Sequence, residues 1–220
     1  MSILPDLPPS PEKGSTVDQT KKILPVNPRV AAITAVSFVG LLYLIELLDT
    51  ILPGDFDQAG IRARTLSGLL GILWAPLLHF GWSHLLSNTI PVLVFSFLAM
   101  AGGIGHWISV TATIWVLGGL GVWLVSPSTS VTVGASGLAF GWLTYLLLRG
   151  VFNRSIAQIL VGLVLLFFWG GMLWGVLPGD PRISWQGHLF SALAGILAAW
   201  FRLKPVGLMT LKHLISYRVA

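Results

Sequence analysis

Three short groups of residues carry types and spacings that can do chemistry. Ser136 stands in Gly134-Ala135-Ser136-Gly137, ahead of an apolar stretch that reads as a helix. Two glycines beside a serine clear side chains from its hydroxyl and let a substrate backbone approach. A helix start there aims unpaired amide hydrogens and positive dipole at an incoming carbonyl oxygen. His188 follows Gly187, and His188, Ala192, Gly195 and Ala199 recur at spacings of four, three and four, so small residues line the helical face below the imidazole. Gly137 and Gly141 offer a matching small face on the Ser136 helix, and Phe140 falls one turn below Ser136, where it can stack beside the imidazole. His84 and Asn88, four apart, share a third helical face, and their N–H groups can hold a developing oxyanion together with the Ser136 amide.

Each group has a plainer reading. Ser136 can be a helix N-cap. His188 can be satisfied by backbone carbonyls, and His84 with Asn88 can be interhelical hydrogen-bond glue. The three motifs together, however, are expected about 0.01 times by chance in a chain of this composition, so they are read as one site. No carboxylate is an evident partner for His188, because Glu46 and Asp49 sit at the end of the first helix and Asp55, Asp57 and Asp180 lie in loops. The chemistry is that of a serine nucleophile with a histidine general base.

These residues must be positioned by membrane helices. The chain has 220 residues, 55% of them hydrophobic and 10% charged, with a mean hydropathy of +0.83. A soluble domain carries roughly 25% charged residues, so a soluble protein, a coiled coil and a disordered chain are all excluded. The absence of cysteine excludes a disulfide scaffold, a thiolate metal site and a cysteine nucleophile. The five histidines form no metal cluster: His79 reads as an anchor of its loop, and His106 and His213 lie toward the opposite side. No metal or cofactor is expected.

Residues 65–148 contain no Asp, Glu, Lys or Arg, a run long enough for about three spans. With the other charge gaps this predicts an all-α polytopic membrane protein of six helices, near 30–49, 83–101, 106–125, 135–149, 155–176 and 186–202. Residues 1–29 read as a disordered cytoplasmic tail rather than a signal peptide, 30–202 as the membrane domain and 203–220 as a second cytoplasmic tail. Segment 50–82 reads as a structured outer loop lying partly in the interface, with Trp74 and Trp82 at a suitable depth.

With the N-terminus in the cytoplasm, ten Lys and Arg fall inside and three outside. Topology and anionic lipid then explain the net charge of +5, with no need for nucleic acid. The three polar groups all face the outer side. From Ser136 to Arg149 a helix rises only about 21 Å, which sinks Ser136 below the outer surface of a core about 30 Å thick.

On these residues the chain resembles the rhomboid family of intramembrane serine proteases. The resemblance spans about residues 70–200 and rests on His84-x-x-x-Asn88, Gly134-Ala135-Ser136-Gly137 and Gly187-His188, in that order. It implies a six-helix rhomboid-like bundle in a lipid bilayer, with transmembrane proteins as substrates, and the expected location is the plasma membrane of a prokaryote with both termini cytoplasmic. It further implies Ser136 as nucleophile, His188 as base, and His84, Asn88 and the Ser136 amide as oxyanion donors. Two positions depart from the family pattern. The loop Trp-Arg pair is replaced by Leu70-Gly71, and the small-residue motif after the histidine begins with Ser191. The rival reading is a non-catalytic scaffold or small transporter that binds transmembrane helices.

Overall fold

A computed structural model describes residues 21–180 and 183–201 of the chain. Six long helices form an all-α bundle: α1 (Pro28–Ile51), α3 (Trp82–Ala99), α4 (Ile104–Val125), α5 (Ser136–Phe152), α6 (Ile156–Trp169) and α7 (Trp185–Trp200). A short helix, α2 (Leu66–Gly71), lies in the loop after α1. The segments Pro28–Ile51, Trp82–Gly102, Ile104–Val125 and Ile156–Val176 are long and apolar enough to cross a membrane, and α5 is a shorter apolar helix. The protein is a polytopic membrane bundle.

Local signals set the helix ends. The Asn27 side chain accepts from the Val30 N–H at 3.2 Å and Pro28 opens α1, both favoured at a helix start. Ser155 and Ser184 cap α6 and α7 in the same way. Gly81 and Gly103 enter α3 and α4 at φ +85° and +91°, backbone that glycine adopts without strain. The sixth expected helix is present at Trp185–Trp200. The fifth is shortened: regular α-helix stops at Trp169, and Gly170–Val176 continues as 3₁₀ turns. The Gly170-Gly171 pair explains the change, since two glycines weaken α-helix propagation.

The core surrounds α5, which packs against α7, α6, α3 and α4. Trp142 is fully buried there, with its Nε1–H donating to Thr111 Oγ1 at 3.1 Å. The α5–α7 seam depends on missing side chains. A Cβ on Gly195 would strike the Gly141 carbonyl, and a Cβ on Gly141 would strike Ile114. Thr144 Oγ1 then reaches across to donate to the Ala192 carbonyl at 2.8 Å. Ser191 fits because glycines face it: its Oγ lies where Gly118 and Gly137 would carry side chains.

Between α1 and α3, residues 52–81 form a structured loop that includes an element the periodicity did not reveal. Strand β1 (Ile61–Arg62) pairs antiparallel with β2 (Val131–Thr132), just upstream of Ser136. In place of a Trp-Arg pair, Arg64 donates to the carbonyls of Leu124 and Ser126, both at 3.0 Å. The indoles of Trp115 and Trp123 donate to the carbonyls of Ile72 and Thr65, at 2.6 and 2.8 Å. Most of the expected N-terminal tail and residues 203–220 lie outside the described residues. Within the tail, residues 21–27 run along the opposite end of the bundle, where Gln158 Nε2 donates to the Lys22 carbonyl and Arg149 to the Ile23 carbonyl.

Candidate active site

Ser136 is the first residue of α5, and the residue in the N-cap position is Ala135, which has no capping side chain. The plain N-cap reading of Ser136 therefore does not describe it. Its hydroxyl instead meets the imidazole of His188, with Oγ and Nε2 3.0 Å apart. The other ring nitrogen, Nδ1, lies 3.0 Å from the Gly175 carbonyl oxygen. A carbonyl can only accept, so Nδ1 carries the proton and Nε2 presents its lone pair to the serine O–H. The Phe140 ring stacks on the imidazole, centroids 4.0 Å apart and planes 8° from parallel. The imidazole is thus held on one edge by a carbonyl, on the other by the serine, and on one face by an aromatic ring.

Gly134 brings the second group to the same place. Its φ is +120°, and a Cβ there would come within 2.9 Å of His84 Nε2 and 3.6 Å of Ser136 Oγ. His84 Nδ1 accepts from the Phe80 N–H at 3.3 Å, which leaves the proton on Nε2 as a donor beside Gly134. Asn88 is buried, and its Nδ2 has no hydrogen-bond partner. A buried unpaired donor is costly, and one in an active-site cavity is an amide awaiting an acceptor. The Ser136 N–H, in the first turn of α5, also lacks an intrahelical acceptor.

Two supports fix the strand end that carries Gly134. Its N–H donates to the Ala75 carbonyl at 2.8 Å, and the Ala135 N–H donates to His79 Nε2 at 3.3 Å. His79 is 1% exposed. Burial, then the neighbouring His84, holds its pKa down to about 3, so it stays neutral and able to accept. This is the anchoring role expected of His79. Among the small residues, Gly187 faces Ser184 Oγ at a notional Cβ distance of 3.1 Å, and Gly137 faces Ser191 Oγ at 2.9 Å. Ala192 and Gly195 lie on the α5–α7 seam below His188.

One cavity of about 1330 Å³ is bordered by His84, Asn88, Ser136, Phe140 and His188, with Gly134, Gly137 and Gly187 beside them, whereas Ala192 and Gly195 lie outside its lining. What the sequence reading missed is the Gly175 carbonyl. A main-chain acceptor has no residue-type signature, so only the loop before α7 could have hinted at it. His106 lies elsewhere, hydrogen-bonded to Tyr145 at 2.7 Å, and His213 falls outside the described residues.

Comparison with known proteins agrees with this picture at the level of the domain. Residues 66–205 match the Rhomboid domain family. An uncharacterized protein of Mycobacterium tuberculosis is 44% identical over 184 residues, covering 80% of this chain and 77% of its own. Another, from Mycobacterium leprae, is 42% identical over 184 residues, covering 80% and 73% respectively.

Proposed function

The chain belongs to the rhomboid family, and from that premise we propose that it is an intramembrane serine endopeptidase acting on transmembrane proteins. The observation that carries this reading is the 3.0 Å contact between Ser136 Oγ and His188 Nε2, with Nδ1 held by the Gly175 carbonyl.

In the proposed reaction, His188 Nε2 takes the Ser136 proton as Oγ attacks a substrate carbonyl carbon. The tetrahedral oxyanion accepts from His84 Nε2–H, Asn88 Nδ2–H and the Ser136 amide. The imidazolium donates its Nε2 proton to the leaving amine, the C–N bond breaks, and a water activated by neutral His188 hydrolyses the acyl-enzyme. No carboxylate is needed to hold the tautomer, because the Gly175 carbonyl does so. The imidazolium gains further support from the face of Phe140, whose ring is suitably stacked.

A substrate helix must unwind locally to expose its carbonyl, so Gly, Ala, Ser or Pro near the cleaved bond is expected. The inside-outside bias of Lys and Arg supports a site opening to the outer face, with both termini cytoplasmic. The bacterial relatives favour a prokaryotic plasma membrane.

Labelling with a fluorophosphonate tests this directly. Detergent-purified wild type is expected to be labelled at Ser136 and to cleave a reconstituted transmembrane substrate. Folded Ser136→Ala is expected to do neither. Cleavage by Ser136→Ala at the wild-type rate, or no labelling of folded wild type, overturns the assignment and leaves the non-catalytic scaffold.

A further inference from the structure

The loop after α1 holds a second polar cluster remote in chemistry from the serine site. Asp49, Asp55 and Asp57 each present a carboxylate oxygen, and these three oxygens lie within 4.8 Å of one another. Asp49, in the last turn of α1, accepts from the Phe56 N–H at 2.8 Å. Asp55 accepts from the Asp57 N–H at 3.1 Å and from Gln58 Nε2 at 2.9 Å. These bonds fold residues 55–59 back onto the end of α1 and converge the acids.

An acidic cluster alone means little, but Asp57 adds an independent sign. It is only 8% exposed, and its Oδ1 is sealed from solvent without a hydrogen-bond partner. An unpaired buried carboxylate oxygen is among the most costly groups a fold can hold. Its surroundings worsen the cost. The carboxylates of Asp49 and Asp55 converge on it, so like charges add to that cost. Glu46 is itself 4% exposed. The last turn of α1 contains no basic residue, although the negative end of a helix dipole favours cations there. Arg62 donates to Gln58 Oε1 at 3.1 Å, on the far side of that amide from Asp55.

We propose that Asp49, Asp55 and Asp57 bind a calcium ion that ties the end of α1 to the loop leading into β1. The donors are all hard oxygens, which suits calcium or magnesium and not the softer metals. Calcium takes oxygens at about 2.3–2.6 Å in flexible geometry, so one ion can bridge oxygens this far apart without moving the chain. Magnesium binds at about 2.0–2.1 Å with near-octahedral demands, a poorer fit to three ligands already held by hydrogen bonds. Water completes the calcium shell, and Glu46, one turn before Asp49 on α1, adds negative charge nearby. The bridged turn Phe56–Ala59 runs directly into β1, whose partner β2 leads to Gly134. The ion would therefore stiffen the loop that buttresses the serine site. This inference is independent of the peptidase reading, since binding is measured without turnover.

The test uses the full chain in detergent at pH 8 after treatment with EGTA. Equilibrium dialysis with radioactive calcium is expected to find one ion per chain, with a Kd of about 10⁻⁴–10⁻³ M. Calcium at 5 mM is expected to raise the thermal midpoint by about 2–8 °C, and magnesium by less. Asp57→Asn is expected to abolish the calcium response while leaving the EGTA midpoint at or above wild type, because it removes a buried like charge. Asp55→Asn, at an exposed position, is the second variant and is expected to raise the Kd roughly tenfold or more. No calcium bound by wild type at 10 mM, or unchanged binding by folded Asp57→Asn and Asp55→Asn, overturns the proposal. An equal response to magnesium overturns the assignment to calcium.

Discussion

Helices α5 and α6 are consecutive, both apolar, and joined by a tight turn in which Arg154 takes φ +50°. They are held in opposite ways. α5 is buried along most of its length, from Leu138 to Leu146. α6 buries only Gln158, Gly162 and Leu165, and its outer face shows Leu160, Leu163, Val164, Phe167 and Phe168. In lipid, covering an apolar face gives no net drive to associate, so close backbone approach and hydrogen bonds must do so. The α5–α7 seam has both, through Gly141, Gly195 and the Thr144–Ala192 bond. α6 has a glycine contact, Gly162 against the Leu147 carbonyl, but little else on its outer half. The lesson is a division of labour. Ser136 and His188 sit on the rigid pair, because their geometry must hold to within about 0.5 Å. α6 is the less tightly held neighbour, with most of its outer face left to lipid.

The strongest way to break this contrast is to put the same side chain into both regions. Gly195→Leu places carbon against the Gly141 carbonyl and Thr144, and the helices must separate. Overpacking typically costs about 1–3 kcal/mol, and a clash with backbone lies at the top of that range. Complete loss of fluorophosphonate labelling is expected, with a large drop in thermal midpoint. Gly171→Leu, in the 3₁₀ turns that continue α6 and where nothing lies within 4 Å of a Cβ, is expected to retain both. Equal damage from the two variants would mean that α7 is not held by its seam.

Much of this was readable beforehand, for identifiable reasons. Charge gaps marked all six helices, because a charge in lipid is costly wherever it falls. Ser136, His188, His84 and Asn88 were legible because their types are rare among apolar residues and their spacings place them at one depth. Phe140 was legible from helical periodicity alone. The β1–β2 pair was not, since two-residue strands are too short to show alternation. Nor were the loop anchors of Arg64, Trp115 and Trp123, whose partners are carbonyls some 43 to 62 residues away in the chain. The early end of α6 was signalled by Gly170-Gly171, a stop that continuous hydropathy through Val176 obscured.

A smaller effect sharpens the claim that the rigid region is preset for the transition state. Asn88 Nδ2 has no partner in the free protein, so its removal breaks no existing bond. Asn88→Ala is expected to lower kcat by about 10²–10³, less if His84 and the Ser136 amide compensate, with little change in KM or thermal midpoint. A structural role would move the midpoint instead, and a change confined to KM would make Asn88 a binding group.

The smallest effect concerns the end of α6, where two neighbouring aromatic residues differ in what they touch, and tests whether a transmembrane substrate enters between α3 and α6. Trp169 packs edge-on against Phe95 of α3, ring centroids 5.4 Å apart, and borders the cavity. Phe168 is 68% exposed and meets only its ring neighbours Phe167 and Trp169 among aromatic contacts. Trimming Trp169 therefore removes the α3–α6 contact, whereas trimming Phe168 removes a group facing away from it. Trp169→Ala is expected to raise turnover of a transmembrane substrate severalfold, and Phe168→Ala to leave it nearly unchanged. Labelling by a small fluorophosphonate should respond to neither, because that reagent reaches Ser136 without parting the helices. The chain contains no cysteine, so Phe95→Cys with Trp169→Cys creates a unique pair for a short bis-maleimide. Before bridging, the double variant should behave as Trp169→Ala does. After bridging, cleavage of the transmembrane substrate should fall while labelling persists. Full cleavage by the bridged protein would show that substrates reach Ser136 by another side, and the contrast between α5 and α6 would then be one of packing alone.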